Sequence, residues 1–111
     1  MININSEKKE SHQLIKVIGE VDASTSIELD NALKAAAEVG SDILMDLQSL
    51  EYISSAGLGV FISYLDEFKS RDIKLVIFGL NAKVLEVFEI LGLQHLMTIT
   101  SDFETAIDKI K

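Results

Sequence analysis

The chain has 111 residues, 48% of them hydrophobic and none of them cysteine, which fits one compact domain over residues 1–111 and excludes disulfides, thiolate metal sites and thiol nucleophiles. Its net charge is −8 and its ten Lys and Arg residues are scattered, so no basic surface for nucleic acid is expected. No apolar run approaches the ~20 residues that span a bilayer, and the N-terminus lacks a signal-peptide apolar region, so we expect a soluble, cytoplasmic protein that does not insert into membranes.

The first third of the chain predicts a β-hairpin followed by a helix. Isoleucines alternate with asparagines over residues 2–5, and Leu14–Gly19 is a second β-rich segment after a polar turn. Thr25-Ser-Ile-Glu28 has the form of a capping box, in which a hydroxyl and a carboxylate three residues later satisfy the free N–H groups of a helix start. The helix that it opens is expected to stop at Gly40.

The middle of the chain alternates apolar strands with amphipathic helices. Ile43–Leu47 and Ile73–Phe78 are short and mostly apolar, as strands covered by helices are. The helix between them has apolar residues at three-to-four spacing. Its predicted buried stripe is Leu58, Phe61, Ile62, Leu65 and Phe68. Asn81 is expected to cap a third helix, which Gly92-Leu93 would end. The inward residues predicted for that helix are Val84, Val87, Phe88 and Leu91.

The last elements predicted are a short strand over Met97–Ile99 and a helix through Ile107 and Ile110. Ser101-Asp-Phe-Glu104 forms a second capping box at the start of that helix. The order ββαβαβαβα predicts an α/β fold, with a single mixed sheet that begins with a hairpin, continues with parallel strands and packs against about four helices.

Most catalytic signatures are missing. His12 and His95 lie far apart and outside any metal-ligand spacing. The chain has no nucleotide-binding glycine loop, and Ser54-Ser55-Ala-Gly57 lacks the first glycine of a nucleophile elbow. We therefore expect neither an enzyme nor a protein that needs a metal or cofactor.

The candidate site is the junction between the Ile43–Leu47 strand and the second helix. Gln48–Ile53 follows the strand and is assigned neither strand nor helix, and Ser54 and Ser55 precede two early glycines of the helix. Either serine could be an ordinary N-cap, but a cap serine is also an exposed hydroxyl. A phosphate there would add roughly −1.5 to −2 charges beside free N–H groups and the positive end of the helix dipole. The fold should tolerate it, while a partner surface would be changed.

A flank of the second helix offers a further candidate surface. Val60 and Tyr64 lie off the predicted buried stripe and share a flank with Gly57. This flank could be a docking patch or could pack beneath a neighbouring helix, and the sequence leaves both interpretations open.

Four motifs in order along the chain resemble the STAS domain, specifically the small single-domain anti-sigma-factor antagonists of bacteria. They are Gly19-Glu-Val-Asp22, Ile43-Leu-Met-Asp-Leu47, Tyr52-Ile-Ser-Ser-Ala-Gly-Leu-Gly59 and Leu91-Gly-Leu93. The resemblance implies a STAS-like fold and a role in signal transduction, in which partner switching regulates transcription. The unmodified protein would bind an anti-sigma factor that is also a serine kinase, and phosphorylation would break the complex until a metal-dependent serine phosphatase restores it.

The resemblance also implies the site residues. Alignment on Gly57-Leu-Gly59 places the phosphoacceptor at Ser55, with Ser54, which replaces the family's usual aspartate, as the second candidate. The expected partner-binding residues are Asp22, Ser54, Ser55, Ala56, Gly57, Val60 and Tyr64. The alternative is a STAS protein that is not phosphorylated and serves as a scaffold or subunit of a transporter, lipid-trafficking or sensory complex.

Overall fold

The computed structural model describes residues 2–111, and over them it confirms a mixed sheet packed against four helices. The elements in chain order are β1 (Ile2–Lys8), β2 (His12–Val21), α1 (Ser26–Val39), β3 (Asp42–Asp46), β4 (Leu50–Ile53), α2 (Ser55–Ser70), β5 (Leu75–Phe78), α3 (Ala82–Ile90), a 3₁₀ turn (Leu93–His95), β6 (Thr98–Thr100) and α4 (Phe103–Lys109). The predicted α/β class, initial hairpin and alternation of later strands with helices are all present.

The sheet has the strand order β1-β2-β3-β5-β6. β1 runs antiparallel to β2, and the remaining pairs are parallel. β4 pairs with the last residues of β2, beyond the part of β2 that pairs with β3. Because β2 and β4 are parallel, their carboxyl ends meet at one edge of the sheet.

β4 was not expected from the sequence, which assigned no strand to residues 48–53. Leu50 and Ile53 are buried but the two residues between them are exposed, so the segment lacks the alternation that identifies a strand. β2 also continues past its predicted end at Gly19. The pairing with β4 shifts register there, and Gly19 has φ +102°, a backbone conformation that suits glycine at a bulge.

Two apolar layers cover the two faces of the sheet. Ile43 and Met45 of β3 face a large core that also contains the buried side chains of α1, α2 and α3. Leu44 faces the other side, where it packs with Val76, Phe78 and Ala106 beneath α4. The apolar strands therefore carry no polar alternation because helices cover both of their faces.

The predicted buried stripes were correct at their centres and wrong at their edges. In α2, Leu58, Phe61 and Phe68 are buried and Leu65 is partly buried, but Ile62 is 45% exposed. In α3, Val84 and Phe88 are buried, and Phe88 meets Phe61 edge-on at 6.0 Å. Val87 and Leu91 are exposed instead of inward-facing. α3 has only nine residues, and one side chain per turn, Val84 and then Phe88, reaches the core.

The helix starts also differ from the predicted capping boxes. Asn81 caps α3 as predicted, accepting a hydrogen bond from Val84 N–H at 2.9 Å. Thr25 occupies the N-cap position of α1, but its hydroxyl does not cap the helix. The cap of α4 is Asp102, whose carboxylate accepts from Thr105 N–H, and not Ser101. In the first box the Thr25 hydroxyl instead forms hydrogen bonds within the turn before the helix. In the second box the adjacent Asp102 takes the cap, because a carboxylate accepts more strongly than a hydroxyl.

Gly57 brings the start of α2 close to the sheet. A Cβ atom built on Gly57 would lie 2.6 Å from Val21 Cγ1 and 2.8 Å from Ile53 Cγ1, whereas a Cβ on Gly59 would have no neighbour within 4 Å. Only glycine at position 57 allows this approach, although both glycines lie in the same helix.

We expect Gly57→Ala to lower the free energy of unfolding by about 1–3 kcal/mol, because the methyl group forces Val21 and Ile53 out of place. The matched control Gly59→Ala should raise it by about 0.5–1 kcal/mol through helix propensity alone. Urea unfolding followed by circular dichroism measures both. Equal effects of the two substitutions would contradict the close approach.

Candidate functional site

The candidate site lies where β2 and β4 end and α2 begins. The backbone N–H of Ser54 donates to the carbonyl oxygen of Val21 at 2.8 Å, which joins the entrance of α2 to the end of β2. Asp22 is the next residue after Val21, so the turn that follows β2 and the two serines share one edge of the sheet. The structure therefore brings together two motifs that are separated by about thirty residues in sequence.

The two serines have different roles at the start of α2. Ser54 is the N-cap, with extended backbone angles and an Oγ that accepts from Gly57 N–H at 3.3 Å. Ser55 is the first helical residue, and its side chain is exposed. Within residues 2–111 the Ser55 hydroxyl has no hydrogen-bond partner. The cap and the accessible hydroxyl are thus separate residues.

The start of α2 is suited to a negative group. The first turn of the helix contains no acidic residue. Over the part of the chain that the structure describes, the backbone N–H groups of Ser55 and Ala56 have no acceptor, while those of Gly57 and Leu58 are satisfied by Ser54. These two free donors lie at the positive end of the helix dipole.

Asp22 organises the turn before α1. One oxygen of its carboxylate accepts from Ser24 N–H and Thr25 N–H, both at 2.9 Å, and from the Ser24 hydroxyl at 2.7 Å. The hydrogen bond from the Ser24 hydroxyl, with that from the Thr25 backbone, lowers the pKa of Asp22 to about 2. The carboxylate is therefore charged at neutral pH.

Ser24 and Thr25 were not predicted as site residues, although they fix the position of Asp22. The hydroxyl of Thr25 accepts from Asp22 N–H at 2.9 Å, which closes the turn from its other side. The signal for this arrangement is present in the sequence. Asp22-Ala-Ser-Thr25 has the composition of an Asx turn, in which a carboxylate binds backbone N–H groups two and three residues later.

The remaining predicted residues lie on α2. Ala56 is exposed, Val60 is half-buried and Gly57 is buried beneath the helix. Tyr64 stacks on Phe68 with ring centroids 5.6 Å apart, and its hydroxyl donates to a carbonyl oxygen of α1 at 3.3 Å. The flank of Tyr64 therefore packs against a neighbouring helix, one of the two alternatives that the sequence left open.

No group of three or more His, Cys, Asp or Glu side chains converges anywhere in residues 2–111 to hold a metal ion. His12 lies on β2 and His95 in the 3₁₀ turn, so the fold keeps the two histidines on separate elements. Among the helices of the described chain, none is long and apolar enough to cross a membrane.

The division of roles between the serines predicts different stabilities for their alanine variants. Ser54→Ala should lower the free energy of unfolding by about 1 kcal/mol, within a usual range of 0.5–2, because it removes an N-cap. Ser55→Ala should change it by less than about 0.5 kcal/mol, since the side chain is exposed and unbonded. Thermal and urea unfolding of both variants measure this difference, and a larger loss at Ser55 would contradict the assignment of the cap.

The low pKa of Asp22 predicts a dependence of stability on pH. The folded value of about 2 lies below the ordinary value of 3.8, so the charged carboxylate stabilises the fold above about pH 4, and this contribution is lost as the pH falls towards 2. Asp22→Asn keeps an oxygen acceptor but does not titrate. Urea midpoints measured between about pH 5 and pH 2 should therefore fall less for Asp22→Asn than for the wild-type protein. Equal falls of the urea midpoint with pH in the two proteins would show that the hydrogen bonds to Asp22 do not stabilise its charged form.

Comparison with known proteins gives consistent results for sequence and structure. The STAS domain family model matches residues 3–106. Over 104 residues the chain is 33% identical to an anti-sigma-B factor antagonist of Staphylococcus aureus, covering 93% of this chain and 96% of that protein.

Solved structures share the fold at low sequence identity. An anti-sigma factor antagonist from Mycobacterium paratuberculosis superposes with a TM-score of 0.90 at 17% identity, covering 99% of this chain and 94% of that one. The Bacillus cell fate determinant SpoIIAA in its phosphorylated form superposes with a TM-score of 0.73 at 20% identity, covering 98% and 100%. These likenesses show the shared fold. The family model over residues 3–106 and the 33% identical relative establish that the chain belongs to the STAS domain family.

Proposed function

We propose that this protein is an anti-sigma-factor antagonist whose binding to its partner is controlled by phosphorylation of Ser55. The antagonist role is supported by the Staphylococcus aureus relative, which is named for it and matches this chain along nearly its whole length. Control by phosphorylation is supported by the Ser55 hydroxyl, which is exposed at the first position of α2 and has no hydrogen-bond partner within residues 2–111. A separate serine, Ser54, caps the helix.

The proposed partners are an anti-sigma factor with serine kinase activity and a metal-dependent serine phosphatase. The unmodified protein binds the anti-sigma factor and so frees a sigma factor for transcription. The kinase activity of the same partner transfers a phosphate to Ser55 and ends the complex. The phosphatase removes the phosphate and returns the protein to its binding form.

One feature of α2 supports Ser55 over Ser54 as the acceptor, and two more support a phosphate at the start of this helix. The Ser55 side chain is exposed, whereas Ser54 is half-buried and its oxygen is engaged by Gly57 N–H. The N–H groups of Ser55 and Ala56 are free to bind phosphate oxygens within residues 2–111. The first turn adds no acidic side chain that would repel a phosphate. A phosphate at Ser55 therefore stabilises the helix start or leaves it unchanged.

The role of Ser54 as a cap supports the proposal despite the missing family aspartate. Serine and aspartate are both among the best N-cap residues, because each places an oxygen near the N–H groups of the first helical turn. Ser54 fills that role with its Oγ. The substitution removes a negative charge from the site but retains the cap, so the backbone that presents Ser55 is preserved.

The effect of the phosphate falls on the partner. Asp22 supplies a fixed negative charge at the same edge of the sheet, so the unmodified surface suits a partner with a positive group there. A phosphate at Ser55 adds a further charge of roughly −2 and enlarges the side chain in the centre of the contact, so the surface no longer matches the partner. In this surface Asp22, Ser54, Ser55 and Ala56 contact the partner, and Gly57, Val60 and Tyr64 hold α2 in position beneath them.

The test uses the protein, ATP and each histidine-kinase-like ATPase encoded in its own genome. Mass spectrometry should locate one phosphate on Ser55, and Ser55→Ala should abolish the modification, while Ser54→Ala retains it. With the same partner, Ser55→Asp should weaken binding more than about 100-fold, which corresponds to about 3 kcal/mol for desolvating an added carboxylate and fitting a larger side chain into the contact. Isothermal titration calorimetry measures the affinities.

Ser63→Asp is the matched control for added charge. Ser63 is exposed on the same helix, two turns beyond the site, so its substitution adds the same charge without touching the start of α2. It should bind the partner within about threefold of wild type. If Ser55→Asp binds as tightly as Ser63→Asp and no ATPase modifies Ser54 or Ser55, the protein is a scaffold that is not phosphorylated, and the switch is ruled out.

A further inference from the structure

We propose that a cavity at the end of α2 opposite Ser55 binds a small amphipathic anion, a molecule with an apolar body and one carboxylate or similar head group. The cavity has a volume of about 510 Å³ and lies between the last turns of α2, the starts of β5 and β6, the 3₁₀ turn and α4. Its size falls within the range of small-molecule pockets, ~300–1,000 Å³.

The floor and one wall of the cavity are apolar. Phe68, Leu75 and Met97 form part of the floor and are buried in the main core. Ile62 and Leu96 line the wall and are large hydrophobic side chains exposed to 45% and 61%. Ile62 was predicted to be buried, but it is exposed here. It adds an apolar surface that no other element of the described chain covers.

The rim of the cavity is cationic. Lys69, Lys74 and Lys109 line it from α2, from the segment before β5 and from α4, and all three are exposed. None of them takes part in an ion pair within residues 2–111. Asp66 and Asp72 also line the cavity, so cations outnumber carboxylates there by three to two, in a chain with a net charge of −8.

This arrangement selects one class of ligand. A strongly polar anion would leave the apolar wall exposed to water, and a neutral apolar molecule would make no use of the lysines. A small amphipathic anion satisfies both parts of the cavity, with its body against Ile62 and Leu96 and its head among the lysines.

The cavity is separate from the proposed partner surface. Ser55 and Lys69 are fourteen residues apart on one helix, which at 1.5 Å per residue is about 21 Å. A failure of the ligand proposal would therefore leave the proposed phosphorylation switch intact, and the reverse also holds.

The test titrates decanoate, below its micellar concentration, into the full ¹⁵N-labelled chain. Calorimetry should show saturable binding at one site. Amide shifts in NMR spectra should be largest around Lys69, Leu96 and Lys109, and they should be small at Ser55. The neutral analogue 1-decanol should bind more weakly, the cation decyltrimethylammonium should not compete, and added salt should weaken decanoate binding.

Variants of exposed residues test both parts of the cavity. Lys69→Gln and Lys109→Gln should each weaken decanoate binding about two- to fivefold, the usual effect of one exposed charge pair, and Leu96→Ser should weaken it through the lost apolar wall. Lys34→Gln, an exposed lysine of α1 outside the cavity, is the matched control and should bind as wild type does.

Three results would overturn the proposal. They are shifts spread over the whole surface, equal loss of affinity in Lys34→Gln and the cavity variants, and equal binding of the anion and the cation. Light scattering provides an independent check. A mass that doubles with protein concentration, and returns to the monomer value in Leu96→Ser, would assign this surface to a second copy and not to a small anion.

Discussion

The close approach of α2 to the ends of β2 and β4 is the contact on which the rest of the structure depends. Gly57 lies against Val21 and Ile53, at distances that no larger residue allows without displacing them. The hydrogen bond from Ser54 N–H to Val21 holds the same junction from the backbone side. Because α2 begins this close to the sheet, Ser54 lies at the N-cap position and Ser55 lies at the surface. Exposure of the candidate phosphoacceptor is therefore a consequence of packing in the core.

The charges at the two ends of α2 give the molecule two different surfaces. The start of the helix has free N–H groups and no acidic side chain, and Asp22 is held ionised at the same sheet edge by its own turn. An anion added there is accommodated by the fold and detected by whatever binds the surface. The far end instead combines unpaired lysines with exposed Ile62 and Leu96 around a cavity. The length of α2 thus separates the proposed switch surface from the proposed ligand cavity.

The predictions from sequence succeeded where one local rule acts alone. Asn81 has no competing cap residue beside it, and it caps α3 as expected. The two predicted capping boxes do not form, because the Thr25 hydroxyl bonds within the turn that precedes α1 and Asp102 takes the cap predicted for Ser101. β4 was missed because its burial follows the pairing with β2 and not a period of its own. Ile62 has the right helical spacing to be buried, yet no element lies over it.

By itself the sequence determined the class of the fold, the order of the main elements and the motif that contains the candidate site. Apolar periodicity and turn residues are local properties, so they can be read from neighbouring positions. Only the tertiary structure decided which of two adjacent serines is the cap, that the Asp22 turn lies at the same sheet edge, and that Tyr64 packs against α1. The last two assignments depend on contacts between residues distant in sequence. The first depends on where α2 begins, because a difference of one position there changes a serine from half-buried to exposed.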